Sequence, residues 1–95
     1  MKIYLTAIIK SKPEYQEEVK ALLLQMVQQS QQEATCIQYD LHQEITDENI
    51  FTFHEIWENA EGLALHDQQP YIQGFVKIIP VKLQEPPVIY RGTLL

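Results

Sequence analysis

Two segments of this chain carry large apolar side chains on both faces of an extended strand, and few architectures accommodate that. Lys2 to Lys10 sets Ile3, Leu5, Ala7 and Ile9 on one side and Tyr4, Thr6 and Ile8 on the other. Ile50 to Trp57 sets Phe51, Phe53, Glu55 and Trp57 against Ile50, Thr52, His54 and Ile56. Side chains alternate across a strand, so a sheet with helices on one face and water on the other should alternate apolar with polar. Here both faces need cover. The chain has 95 residues, enough for a single domain over 1–95, and its helical segments suffice for one face only. A second copy of the same sheet is the simplest cover for the other face, which predicts a homodimer.

The remaining segments supply the other elements. Ser11-Lys12-Pro13 breaks the first strand, and Ser11 is expected to cap a helix with Glu14 as its capping-box partner. Val19, Leu22, Leu23, Met26 and Val27 recur at helical spacing. They predict an amphipathic helix of about five turns that ends near Glu33-Ala34-Thr35. Ile37, Tyr39 and Leu41 alternate with Gln38, Asp40 and His42 as in a half-buried strand, and Thr46 to Asn49 form a turn. Asn59 can cap a short helix from Ala60 to about Asp67. Pro70 starts another helix to about Ile79, with Tyr71, Phe75, Ile78 and Ile79 as its apolar stripe and Pro80 as its stop. Pro86-Pro87 introduces a last strand, Val88 to Arg91. The order strand, helix, strand, strand, helix, strand is the split βαβ arrangement. The expected fold is α+β and ferredoxin-like, an antiparallel sheet with helices on one face.

Charge and composition narrow the functional classes. Thirteen acidic residues against seven basic ones give a net charge of −6, and the basic residues do not cluster. That argues against nucleic acid or an anionic membrane as partner. The single cysteine, Cys36, has no internal disulfide partner, which fits a reducing compartment. Met1 to Leu5 is too short and too soon polar for a signal peptide, and no apolar run nears the roughly 18 residues that span a bilayer. The expected location is cytoplasmic. No glycine-rich phosphate loop, dinucleotide fingerprint or Gly-x-Ser-x-Gly elbow is present. The three histidines lack metal-site spacing, so no metal is expected.

Within this order of elements, Glu55-Ile56-Trp57-Glu58, then Leu63-Ala64-Leu65-His66, then Pro70-Tyr71 follow one another without gaps, and Tyr39-Asp40-Leu41-His42 precede them. Their joint spacing resembles the antibiotic biosynthesis monooxygenase domain family, a branch of the dimeric α+β barrels, over nearly the whole chain. The resemblance implies a homodimer whose sheets face each other and a pocket in each subunit between sheet and helices. It also implies an activity drawn from a varied set: oxygenases of quinols and polyketides without metal or flavin, haem degraders, and an isomerase of a signal molecule. The haem-degrading branch needs an Asn on the first strand, a Trp where His66 stands and a His where Val76 stands. This chain offers Thr6 or Ala7, His66 and Val76, so haem degradation is not expected. Thr35 stands where the family usually has Gly, and Tyr71 where many members have a second His.

His66 is the leading candidate base, because an imidazole titrating near neutrality can move protons beside an apolar pocket. Glu55, set among aromatic neighbours, should be paired or protonated. It can orient His66 or a substrate hydroxyl, or serve in a structural hydrogen bond or salt bridge. Tyr71 can donate to a substrate oxygen. Trp57, Tyr39, Phe53 and Phe75 are the candidate substrate-binding side chains. Taken with the family resemblance, which implies it, these residues lead to the expectation of an enzyme that oxygenates a small aromatic, quinol or polyketide-like substrate without a cofactor. Its base would deprotonate a phenol or hydroquinone to an anion electron-rich enough to react with oxygen. An isomerase or lyase acting on a small hydroxyketone, and a ligand-binding stress-response dimer without catalysis, are the alternatives.

Overall fold

The computed structural model describes all 95 residues. Its strands are β1 (Ile3–Lys10), β2 (Cys36–Gln43), β3 (Ile50–Trp57) and β4 (Val88–Gly92). Its helices are α1 (Gln16–Ser30), α2 (Ala60–Asp67) and α3 (Pro70–Lys82), with a 3₁₀ turn over Pro13–Tyr15 ahead of α1. The four strands form one sheet in the order β2-β3-β1-β4, with every neighbouring pair antiparallel. The fold is α+β with ferredoxin-like topology, as the order of elements predicts.

The register of β1 on β3 sets Leu5 opposite Glu55, Ala7 opposite Phe53 and Ile9 opposite Phe51. These side chains make the inner face and are buried. Val19, Leu23 and Met26 of α1, Leu63 of α2, and Ile72 and Phe75 of α3 join them in one core, with Leu22, Val27, Ile78 and Ile79 packed at its border. The other face carries Tyr4, Thr6, Ile8, Ile50, Thr52, His54 and Ile56, none of which is fully buried. Val88 and Tyr90 extend it onto β4, opposite Ile8 and Thr6. The helices cover one face and leave this one open.

Four details depart from the sequence reading. Ser11 caps no helix. It is fully buried, forms a bridge with Leu83, and its N–H donates to the Asn49 carbonyl at 2.8 Å. The turn that follows closes as a 3₁₀ segment behind Lys12, without a side-chain cap. Second, α1 stops at Ser30. Its exit tightens into i→i+3 bonds, Gln32 N–H to Gln29 and Glu33 N–H to Ser30, which satisfy carbonyls that a helix end leaves over. Third, a β-bulge lies between Cys36 and Gln38. The extra residue is Ile37, which is 45% exposed, and the inward phase of β2 begins only at Tyr39, which is 2% exposed. Fourth, α3 runs past Pro80 to Lys82. Pro80 removes one helical bond, but tertiary contacts hold the end in place. Leu83 is buried, Lys12 N–H donates to the Lys82 carbonyl at 2.9 Å, and Gln84 N–H donates to Lys10 at 2.8 Å. No helix is long and apolar enough to cross a membrane.

Candidate active site

Between the inner face of the sheet and helices α2 and α3 lies a cavity of about 150 Å³. Its wall is mainly apolar, with Leu5, Tyr39, Phe53, Ile72 and Phe75 among its members, and its polar members are Glu55, His66, Asp67 and Arg91. A cavity of about this size lined by apolar groups accepts a single aromatic ring.

His66 reaches the wall from α2. That helix starts where the Asn59 side chain accepts a hydrogen bond from Gly62 N–H at 2.7 Å, as its position before Ala60 predicts. His66 is 4% exposed. Its ring packs on the Trp57 indole with centroids 4.5 Å apart and lies 5.5 Å from the Tyr39 ring. Nδ1 is 2.6 Å from Glu33 Oε2. A carboxylate only accepts, so Nδ1 carries the hydrogen and Nε2 of the neutral ring is the lone-pair nitrogen. No fully buried side-chain nitrogen or oxygen lacks a partner, and Nε2 has none within the protein, so Nε2 meets open space. His66 borders the cavity.

Glu33 lies in the turn after α1 and holds more than His66. The Tyr71 hydroxyl, at the start of α3, donates to the same Oε2, and it lies 3.1 Å from the buried Ser30 hydroxyl. One carboxylate thus ties the exit of α1 to α2 and α3. Burial, and then the bond to Glu33, which favours the neutral phenol, raise the pKa of Tyr71 above the ordinary tyrosine value. Tyr71 is held protonated as a donor to Glu33.

Glu55 stands in the inward row of β3, and its Oε1 accepts from Trp57 Nε1 at 2.9 Å. Burial pushes its pKa up to about 7; the Trp57 bond opposes this, Asp67 adds to it and Arg91 opposes it. Glu55 therefore changes charge near neutrality, in the wall that His66 also borders.

The structure brings His66, Glu55, Tyr39, Phe53 and Phe75 together around one cavity. Tyr71 and Trp57 lie outside that wall. The Tyr71 hydroxyl is engaged by Glu33 and Ser30, and the Trp57 indole N–H by Glu55. Glu55 does not orient His66; Glu33 does. Sequence reasoning missed Glu33 because nothing in Ser30-Gln31-Gln32-Glu33-Ala34 distinguishes it from a solvated helix end, and its partner is 33 residues away.

Comparison with known proteins bears on the family and the fold. The profile of the family described as antibiotic biosynthesis monooxygenase matches residues 2–78. The protein YcnE of Bacillus subtilis, whose name marks it as a candidate monooxygenase, is 38% identical over 74 residues, 78% of each chain. The Synechocystis protein sll1783 is 38% identical over 78 residues; these cover 82% of this chain but only 53% of the relative, so the chain spans about half of that protein's length. The crystal structure of PA3566 from Pseudomonas aeruginosa superposes with a TM-score of 0.93 at 30% identity, over 99% of this chain and 94% of that one. Matched by that profile over most of its length, the chain belongs to the antibiotic biosynthesis monooxygenase family.

Proposed function

We propose that the cavity oxygenates a small aromatic, quinol or polyketide-like substrate, with His66 as the base and no cofactor taking part. The observation that carries this reading is the pairing of His66 Nδ1 with Glu33 at 2.6 Å, which leaves Nε2 as the acceptor beside an apolar cavity of one-ring size. A phenolic or hydroquinone hydroxyl placed against Nε2 gives up its proton to His66. The imidazolium that forms is stabilised by the Glu33 carboxylate, itself held by Tyr71. The aryl oxide left in the cavity gives an electron to molecular oxygen, and the radical pair joins as a ring-carbon hydroperoxide. Its O–O bond breaks with loss of water to leave a quinone, so one oxygen atom stays on the ring, the other leaves as water and the substrate supplies the electrons. Glu55, with a pKa of about 7, supplies or accepts a proton on the β3 side. The apolar wall keeps bulk water from the anion.

The test is oxygen uptake with methylhydroquinone, a single-ring quinol, under conditions that correct for its autoxidation. Wild type should accelerate uptake, and His66→Gln should lower the rate by a factor of about 10² to 10⁴, the usual contribution of a positioned base. Glu33→Gln, which keeps the shape but removes the charge facing the imidazolium, should lower it by about 10 to 10³. Conversion that proceeds equally under strict anaerobiosis would turn the reading to an isomerase using the same base.

The uncovered face of the sheet bears on assembly. Tyr4, Ile8, Ile56, Val88 and Tyr90 present apolar surface that the chain's own helices do not reach. A homodimer packed sheet to sheet on this face is part of the same proposal.

A further inference from the structure

The cavity is not the only hollow in this region. A second, of about 360 Å³, lies at the end of the sheet among Ile3, Ala60, Leu63, Ala64, Arg91 and Thr93. The two hollows share Leu63, Asp67 and Arg91 in their walls, so these side chains stand between them.

The side chains at the junction restrict what can pass. Asp67 is the last residue of α2, and Arg91 stands on β4 beside Leu5, on the inner face. Neither takes part in any of the chain's three ion pairs, and no hydrogen bond engages either side chain within the protein. The passage therefore carries one free acceptor group and one free donor group. An anionic chain would lose its water beside Asp67, with Glu55 behind it, against a single arginine. A cationic chain would face the guanidinium of Arg91. Asp67 is half-buried and Arg91 exposed, so a charged group there meets a like charge on one side and loses part of its water. An uncharged hydroxyl satisfies both groups, because its oxygen accepts from Arg91 while its hydrogen is donated to Asp67. The field at Glu55 agrees, since Asp67 acts on it more strongly than Arg91 does.

We propose that the substrate is a phenolic ring bearing an uncharged, hydroxyl-containing side chain: the ring fills the cavity beside His66, and the chain leaves between Asp67 and Arg91 into the outer cleft. This deepens the reading of the cavity as an aromatic site and rests on it. The outer cleft sets specificity, because Ala60 and Ala64 border the chain and not the ring.

The test is a titration of the full chain followed by amide NMR, with 4-methylphenol, 4-(3-hydroxypropyl)phenol and 3-(4-hydroxyphenyl)propanoate. The hydroxypropyl compound should bind about tenfold tighter than 4-methylphenol, because it buries further methylenes and pairs the junction groups. The propanoate, of the same length, should bind more weakly than the hydroxypropyl compound. Ala64→Trp, at an exposed helix position, fills the cleft; it should lower the affinity of the hydroxypropyl compound about tenfold more than that of 4-methylphenol. Equal affinity for ring and tailed ring, tighter binding of the propanoate, or a tailed ring indifferent to Ala64→Trp would each overturn the inference while leaving the aromatic cavity in place. Absence of any shift at the cavity residues with all three phenols would overturn the cavity reading itself, and this inference with it.

Discussion

A histidine in an apolar wall can be a packing residue or a base, and the difference lies in which nitrogen is committed. Glu33 commits Nδ1 of His66, and Tyr71 holds Glu33 in place. The second ionisable group of the cavity, Glu55, makes a distinct demand on the fold. In the unfolded chain it titrates near 4.5, and in the folded protein burial pushes its pKa up to about 7. Between those values the folded state keeps a proton that the unfolded state has released, so raising the pH weakens the fold. The cost is absent below about pH 4.5, grows up to about pH 7 and stays constant above it, where it amounts to about 3 kcal/mol. Glu55→Gln keeps an acceptor for Trp57 Nε1 and has nothing to ionise. It should be more stable than wild type by about 2 kcal/mol at pH 8, and by less than half of that at pH 5, as urea unfolding at the two pH values would show. A gap of equal size at both would mean that Glu55 does not titrate in this window. The positions of His66 and Glu55 in the cavity wall were legible in the sequence, because histidine is the residue type that titrates near neutrality and Glu55 stands in the apolar row of a patterned strand. Glu33 was not legible. A carboxylate past the end of a helix is ordinary, and only the closure of α1, α2 and α3 onto one another brings it to His66.

Local rules located the elements and failed where distant contacts decide. Asn59 caps α2 as the sequence predicts, because the bond to Gly62 N–H lies within one turn. The bulge at Ile37 and the passage of α3 through Pro80 have no local signature; the first depends on pairing with β3, the second on strands and turns that hold the Lys82–Gln84 backbone. Thr35 illustrates the same point. Glycine is usual there in the family, yet no residue of this chain has a positive φ, so the backbone does not require one. What the position needs is room, and Gly62 supplies it. A Cβ built on Gly62 would lie 2.1 Å from Thr35 Oγ1 and 2.5 Å from Thr35 Cβ. Gly62→Ala should therefore destabilise by about 1–3 kcal/mol, although alanine favours a helix by up to about 1 kcal/mol over glycine. Adding Thr35→Gly removes the obstructing side chain, and the double variant should recover at least about 1 kcal/mol relative to the sum of the single effects, measured by denaturant unfolding. Strictly additive losses would mean that the two side chains do not compete for this space.

At the scale of the whole molecule, the two-faced strands are the feature from which the architecture was read. One half of that reading is visible in the chain itself. The inner rows of β1 and β3 are buried under α1, α2 and α3, while Tyr4, Ile8, Ile56, Val88 and Tyr90 remain outside. The other half concerns what covers the outer rows. An apolar sheet face costs little in a dimer and much in water, so the folded state and the associated state should be linked by mass action. If two copies pack face to face, the species in solution has twice 11.1 kDa, and Tm rises by several degrees as the chain is concentrated from about 1 to about 100 µM. Ile8→Lys with Ile56→Lys places two cations on that face without touching the inner rows or the cavity. The double variant should run at 11.1 kDa in light scattering, and its Tm should no longer depend on concentration. A wild type of 11.1 kDa with a flat Tm would leave the outer face to solvent and remove the physical reason for the pairing. A dimer that survives both lysines would place the contact away from this face of the sheet.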